Sequence, residues 1–296
     1  MKMKIVTYQA STSTRIGMLD ESEQYVSTFL DDRGLPLRDL LDLMPYQDNL
    51  LDLPLEKNRL PLDQVRIAAP IPYPRRNLFC VGKNYVSHAS EFSRSGFDSS
   101  SAEDVPSVPI VFSKAPSTVI GHGDPIWDAS GITEALDYEA ELAVIIGRAG
   151  RTISRESAMD HVWGYTIIND VTARDWQKRH QQWFLGKSFD TFGPMGPCAV
   201  PASCIDGSAL MLRCWVNGEL RQAASTRDLI FDIPTLIETI SAGITLEPGD
   251  IIATGTPAGV GIGYQPPRFL KQGDVVTIEV EGIGRLENRI GHQQPR

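Results

Sequence analysis

The sequence predicts a β-rich α+β fold, and three observations carry that expectation. Most apolar stretches are short, of strand rather than helix length, and turn residues separate them. Segment 231–242 alone has a full helix signature, with Asp232 as cap, Pro234 in the first turn and Gly243 at the end. No regular strand–helix alternation marks a parallel α/β sheet, and no long-period repeat is present.

The elements follow in order. Residues 1–72 read as a small N-terminal domain with strands at 4–8 and 15–19 and a helical turn at 37–44. Residues 69–74, Ala-Pro-Ile-Pro-Tyr-Pro, read as a semi-rigid linker into a second domain, 73–296. There a strand at 78–81 leads into a short helix at 85–92, and the Ser-, Asp- and Gly-rich 93–108 region reads as a mobile surface loop. Strands are expected at 110–112, 140–146 and 163–168. A hairpin follows, pairing 210–216 with 219–223 through Asn217-Gly218. Strands at 251–254 and 275–280 come last, with a turn at 282–284.

Composition bounds the function. The 296 residues carry a net charge of −9 and are 42% hydrophobic, which argues against a nucleic-acid surface and against disorder. No apolar run approaches the roughly 18 residues that span a bilayer, so no membrane partner is expected. The polar start is unlike a signal peptide, and Cys80, Cys198, Cys204 and Cys214 lack zinc-site spacing, so the chain reads as cytoplasmic with reduced thiols.

Five segments could carry chemistry. In the first, Asp137, Glu139 and Glu141 alternate ahead of an apolar strand, so all three face one way with neighbours about 6.5–7 Å apart. Either adjacent pair could share a cation, whereas a solvated acidic face would place the same residues there. In the second, Asp170 ends an apolar strand just before a helix expected near Thr172, and suits either an N-cap or a third ligand. Three carboxylates together form an oxygen set fit for Mg²⁺ or Mn²⁺. In the third, His88 and Glu91 are helix neighbours, a surface pair or an oriented acid–base. In the fourth, Gly-Lys-Ser at Lys187 fails the phosphate-loop test, because Gln181 stands where a glycine is needed. Lys187 is then either a solvated lysine or a fixed cation beside an anionic ligand. In the fifth, the glycine-rich 254–263 run offers backbone N–H groups to an anion, or is simply a turn, and no helix follows to make it a dinucleotide loop. Neither a Gly-x-Ser-x-Gly elbow nor a His-Glu-x-x-His helix occurs.

Taken in order, these segments resemble the fumarylacetoacetate hydrolase family over roughly residues 77–290. The carriers are Val-Gly-Lys-Asn-Tyr leading to His88, Asp-Tyr-Glu-Ala-Glu-Leu at 137–142, Asn-Asp-x-x-Ala-Arg-Asp-x-Gln at 169–177, Gly-Lys-Ser-Phe-Asp at 186–190, and the run from Pro248 to Gly261. The resemblance implies a β-roll catalytic domain, a homodimer, and metal ligands Glu139, Glu141 and Asp170, which decides against Asp137. It implies His88 and Glu91 as the proton-relaying dyad of the smaller, bacterial-type branch, Lys187 in the site, and Gln177 and Thr256 against a small 2-oxo acid.

The resulting expectation is a divalent-metal-dependent hydrolase that cleaves a C–C bond in a 2,4-dioxo acid, an acylpyruvate or fumarylpyruvate. His88 and Glu91 would activate water, and the pyruvate enolate would leave against the cation and Lys187. The alternative is decarboxylation or keto–enol isomerisation of a 2-oxo dicarboxylic acid at the same site.

Overall fold

The strand Ala140–Ile146 organises the fold. It is buried along its whole length, which is why the sequence after Glu141 is an unbroken apolar run rather than an alternating one. In this computed structural model, which describes residues 3–10, 13–97 and 105–292, the architecture is the β-rich α+β fold expected. Its largest sheet, 12-stranded among the described residues, runs outward from that strand in both directions. On one side lie Val162–Asn169, Gly193–Pro201, Ile5–Ala10 and the other N-terminal strands; on the other lie Ile251–Ala253, Leu78–Gly82 and Ile110–Lys114.

Two cores cover the two faces. Leu142, Val144 and Ile146 pack with Leu212, Ile278 and Leu286 of a second, five-stranded sheet. Ala143 and Ile145, on the opposite face, pack with Leu40, Leu43 and Ile71 from the N-terminal region. The proline-dense stretch differs from the linker reading. Ala69, Pro70 and Ile71 are buried, and the Pro70 carbonyl accepts from Thr7 Oγ1 at 2.9 Å and from the Leu40 N–H at 3.2 Å. Proline lacks an N–H, so its burial strands no donor there.

The hairpin joins Met211–Val216 to Glu219–Ser225, with Asn217 and Gly218 at φ of 51° and 81°, as the two-residue turn requires. The helix Ile233–Ser241 is capped by Asp232, which accepts from the Thr235 N–H at 3.0 Å. The helix Val86–Arg94 runs slightly beyond its expected end. Of the loop expected over 93–108, residues 98–104 lie outside the described residues. Among the described residues, no helix is long and apolar enough to cross a membrane.

Two short helices, Arg174–Arg179 and Phe184–Lys187, hold one wall of the candidate site, and Gly186 is their point of contact. A Cβ on Gly186 would stand 2.5 Å from the Gln177 nitrogen and 2.8 Å from the Ala173 carbonyl oxygen. Both obstacles are backbone and cannot swing aside. Gly186→Ala is therefore expected to destabilise the fold by about 1–3 kcal/mol and to weaken Mn²⁺ binding by moving Lys187. An unchanged thermal midpoint together with unchanged Mn²⁺ affinity would contradict this packing account.

Candidate active site

Sheet register builds the acidic cluster. Ala140 pairs with Asn169 in the antiparallel ladder, so the preceding Glu139 and the following Asp170 meet just beyond it. The Asp170 N–H donates to the Glu139 carbonyl at 2.9 Å. Glu141 lies two residues further along and returns to the same side. The three carboxylates are buried, and one oxygen from each lies within 4.8 Å of the others. Such a set of hard oxygens, close and shielded from water, suits a divalent cation.

Asp137 does not join them. The strand expected to carry all three glutamate-side acids is interrupted: Leu136–Asp137 pairs with Thr172–Ala173, and a new strand starts at Ala140. Asp137 instead accepts from Arg174 Nε at 2.9 Å and from the Gly261 N–H at 2.6 Å. Asp170 is not an N-cap either. The helix begins at Arg174, and its capping position, Ala173, makes no side-chain bond.

Buried cations bridge the acids. Lys187 Nζ lies 2.6 Å from Glu139 Oε2 and 2.8 Å from Asp170 Oδ2. Arg174 lies 2.6 Å from Glu139 Oε1. Lys114 Nζ donates to Asp170 Oδ1 at 2.7 Å, to the Val171 carbonyl at 3.0 Å, and to the Lys187 carbonyl. Burial opposes charge on Glu139, but Lys187 and Arg174 outweigh it and hold its carboxyl well below the usual range. Glu141 has the opposite fate. Burial, then the charges of Asp170 and Glu139, push its pKa well above 4.5. Burial also works against the charge on Lys187, yet Asp170 and Glu139 leave its pKa raised.

The histidine pair meets the cluster from another element. His88 is buried on its helix, and its Nδ1 lies 3.2 Å from Glu91 Oε2. Glu91 accepts from the Gly259 N–H at 3.0 Å. The glycine-rich run does bind carboxylates through its N–H groups, but they are the protein's own. Gly255 donates to Glu141 at 2.7 Å, Gly259 to Glu91, and Gly261 and Ile262 to Asp137. Close main-chain approach of this kind explains the glycines without a nucleotide.

His88, Glu139, Glu141, Gln177, Lys187 and Thr256 line one narrow cavity. Gln177 is buried and accepts from Arg174 at 3.2 Å. The Thr256 hydroxyl donates to the Ala140 carbonyl at 2.9 Å and accepts from Gln222 at 2.8 Å, so the protein already engages it. Sequence reasoning missed Lys83, Arg174 and Trp183 on the cavity wall and Lys114 behind it. Lys114 had a faint signal, a lone cation closing the strand Ile110–Lys114 after three apolar residues and a serine. A wider groove beside Tyr25, Pro61 and Arg66 gathers no comparable cluster.

Two outcomes follow from these charges. Lys114→Met should destabilise the protein by about 3 kcal/mol, because it removes one of the two cations that neutralise the buried Asp170; an unchanged denaturation midpoint would contradict that. Stability contributed by the raised Glu141 pKa is full below 4.5 and is lost as pH climbs through the raised value. A cation competes with that proton, so adding Mn²⁺ to chelator-treated protein should release protons from the site. Binding with no change in pH of an unbuffered sample would refute the proton exchange.

Residues 77–291 match the family model described as fumarylacetoacetate (FAA) hydrolase C-terminal. The chain is 54% identical over 231 residues to the oxaloacetate tautomerase YisK of Bacillus subtilis, covering 78% of this chain and 74% of that protein. It is 40% identical over 300 residues to a mitochondrial oxaloacetate tautomerase of Xenopus laevis, covering 98% and 91% of the two. A fumarylacetoacetate hydrolase structure from psychrophilic Exiguobacterium antarcticum matches with a TM-score of 0.82 at 40% identity, covering 98% of this chain and 100% of that one. A 5-carboxymethyl-2-hydroxymuconate delta-isomerase from Mycobacterium smegmatis matches with a TM-score of 0.77 at 32% identity, covering 98% and 100%. With the fold and the acidic cluster, these matches place the chain in the fumarylacetoacetate hydrolase family.

Proposed function

We propose that this chain is a divalent-cation-dependent keto–enol tautomerase of a small 2-oxo dicarboxylic acid of the oxaloacetate kind. The observation that carries this reading is the buried Glu139, Glu141 and Asp170 cluster, whose two glutamates line one cavity with His88. Relatives at 54% and 40% identity named oxaloacetate tautomerases favour isomerisation over the hydrolysis expected from sequence.

The residues fit a cation. Three hard oxygen donors converge, and Glu141 is pushed toward its neutral form by burial and by the charges of Asp170 and Glu139. Mg²⁺ or Mn²⁺ would be held by Glu139, Glu141 and Asp170, and would stabilise negative charge developing on a 2-oxo oxygen.

The chain's own groups do the rest. Glu91 fixes the His88 ring through Nδ1, which leaves Nε2 as the proton acceptor. Removal of a proton from carbon 3 moves the C–H electron pair into a carbon 2–carbon 3 double bond and places charge on the 2-oxo oxygen. Return of that proton to the oxygen gives the enol, and the reverse sequence gives the ketone, with nothing consumed. Lys187 keeps a positive charge beside the same oxygen, and Gln177 and Thr256 bound the space available to the substrate. Burial of these groups raises the worth of each charge, since little water screens them.

Hydrolysis is the second reading, because the fumarylacetoacetate hydrolase match at 40% identity carries that name and the same histidine could activate water. The test follows enol oxaloacetate by its ultraviolet absorbance with Mg²⁺ present, and pyruvate release from acetylpyruvate in parallel. His88→Ala should slow tautomerisation on the order of 10²-fold or more while sparing Mn²⁺ binding. Glu141→Ala should abolish Mn²⁺ binding. Pyruvate release outpacing tautomerisation would select the hydrolase instead, and full activity in a chelated sample would remove the cation from either mechanism.

A further inference from the structure

The two glutamates of the cluster flank Ala140, and both main-chain groups of that residue are bonded to side chains. The Ala140 N–H donates to Gln222 Oε1 at 3.1 Å. Gln222 Nε2 donates to Thr256 Oγ1 at 2.8 Å and to the Pro257 carbonyl at 2.7 Å. Thr256 Oγ1 donates to the Ala140 carbonyl at 2.9 Å. Three bonds therefore close a ring, from Ala140 to Gln222, on to Thr256 and back to Ala140. One orientation of the Gln222 amide serves it, because the reverse would set an NH₂ against the Ala140 N–H and an oxygen against the Pro257 carbonyl. The single proton of the Thr256 hydroxyl is likewise committed to Ala140.

Gln222 reaches this segment from a different sheet. It lies on Glu219–Ser225, at the edge of the five-stranded sheet, yet is only 1% exposed. Pairing with Met211–Val216 slips by one residue there. Cys214 faces Gln222 and Trp215 faces Leu220, which leaves Arg221 as an extra residue. A bulge of this kind re-aims the side chains beside it, and Gln222 is the next one along. On the loop side, Gly259 has φ of 104°, and a Cβ there would collide with the Arg221 carbonyl oxygen. Bulge and glycine together bring strand and loop close enough for one amide to span both.

We propose that Gln222 is a positioning residue for the cation site. It holds the main chain between Glu139 and Glu141 against the loop that carries Thr256, and so sets the spacing at which the two carboxylates converge. The inference rests on the cation assigned to the cluster in the functional reading, and not on which reaction follows. Removing a group that orients metal ligands costs about 10-fold to 100-fold in metal affinity.

The experiment is calorimetric titration of the full chain and its variants with Mn²⁺, without substrate. Gln222→Met keeps the side-chain length, removes the amide and should weaken Mn²⁺ binding about 10-fold or more. Asn288→Leu is the control. It removes two buried bonds of the same sheet, to the Gly121 and Asp124 carbonyls, and should lower the thermal midpoint without changing Mn²⁺ affinity. Thr256→Val opens the ring from the other side and should weaken binding to the same degree, whereas Thr256→Ser keeps the hydroxyl and should retain affinity. The double variant Gln222→Met/Thr256→Val should bind no worse than either single one, since a ring opens only once. Should Gln222→Met fail to fold, Gln222→Asn, one methylene too short to span, carries the same comparison. Equal affinity in wild type and Gln222→Met, an equal loss in Asn288→Leu, or additive losses in the double variant overturns the assignment. A chain that binds Mn²⁺ with this dependence on Gln222 yet does not tautomerise oxaloacetate ends the tautomerase reading and keeps this one. A wild-type chain that binds no Mn²⁺ ends the cation reading, and amide hydrogen exchange of the cation-free protein then decides. Faster exchange at Ala140 in Gln222→Met keeps Gln222 as the residue that positions this segment, and unchanged exchange overturns it.

Discussion

The structure depends on keeping four carboxylates, Asp137, Glu139, Glu141 and Asp170, out of water within one end of a sheet. Desolvating one such group costs several kcal/mol even after relaxation. Each is answered by a specific partner: Arg174 for Asp137, Lys187 and Arg174 for Glu139, Lys114 and Lys187 for Asp170, and a glycine N–H for Glu141. The glycine-rich loop, the two short helices and the lysine on the Ile110–Lys114 strand are all arranged around that requirement.

Unequal partnering gives the two glutamates different chemistry. Glu139, between a lysine and an arginine, stays ionised. Among the described residues, Glu141 has no cation within ion-pair distance, and burial with the charges of Asp170 and Glu139 raises its pKa. Two carboxylates one residue apart thereby differ, Glu139 held as an anion and Glu141 pushed toward its protonated form. His88 stands apart on its own helix, tied through Glu91 to Gly259, so the histidine and the acidic cluster are positioned by separate elements.

Much of this was legible from sequence, for reasons that particular residues make plain. The buried strand was readable because burial on both faces removes alternation, and the 217–218 hairpin because only a few residue pairs accept its dihedral angles. Geometry alone left Asp137 and Asp170 ambiguous, since a strand break at Tyr138–Glu139 and a helix start at Arg174 have no local signature. Lys83, Lys114 and Arg174 escaped notice because a buried cation is defined by distant partners: Lys114 and Asp170 are 56 residues apart. The proline-dense 69–74 stretch misled because its composition suits a linker equally well when its carbonyls are paired inside a core. The choice of reaction was less legible than the cluster, because one set of acids with a histidine suits the proposed isomerisation and hydrolysis alike.

The central claim is that Glu139, Glu141 and Asp170 converge on one hard cation. Crystals grown with Mn²⁺ and measured near the manganese absorption edge test it most directly. A single anomalous peak about 2.1 Å from an oxygen of each of the three carboxylates is the predicted result. A map with no peak there, or with manganese bound only at surface acids, would contradict it.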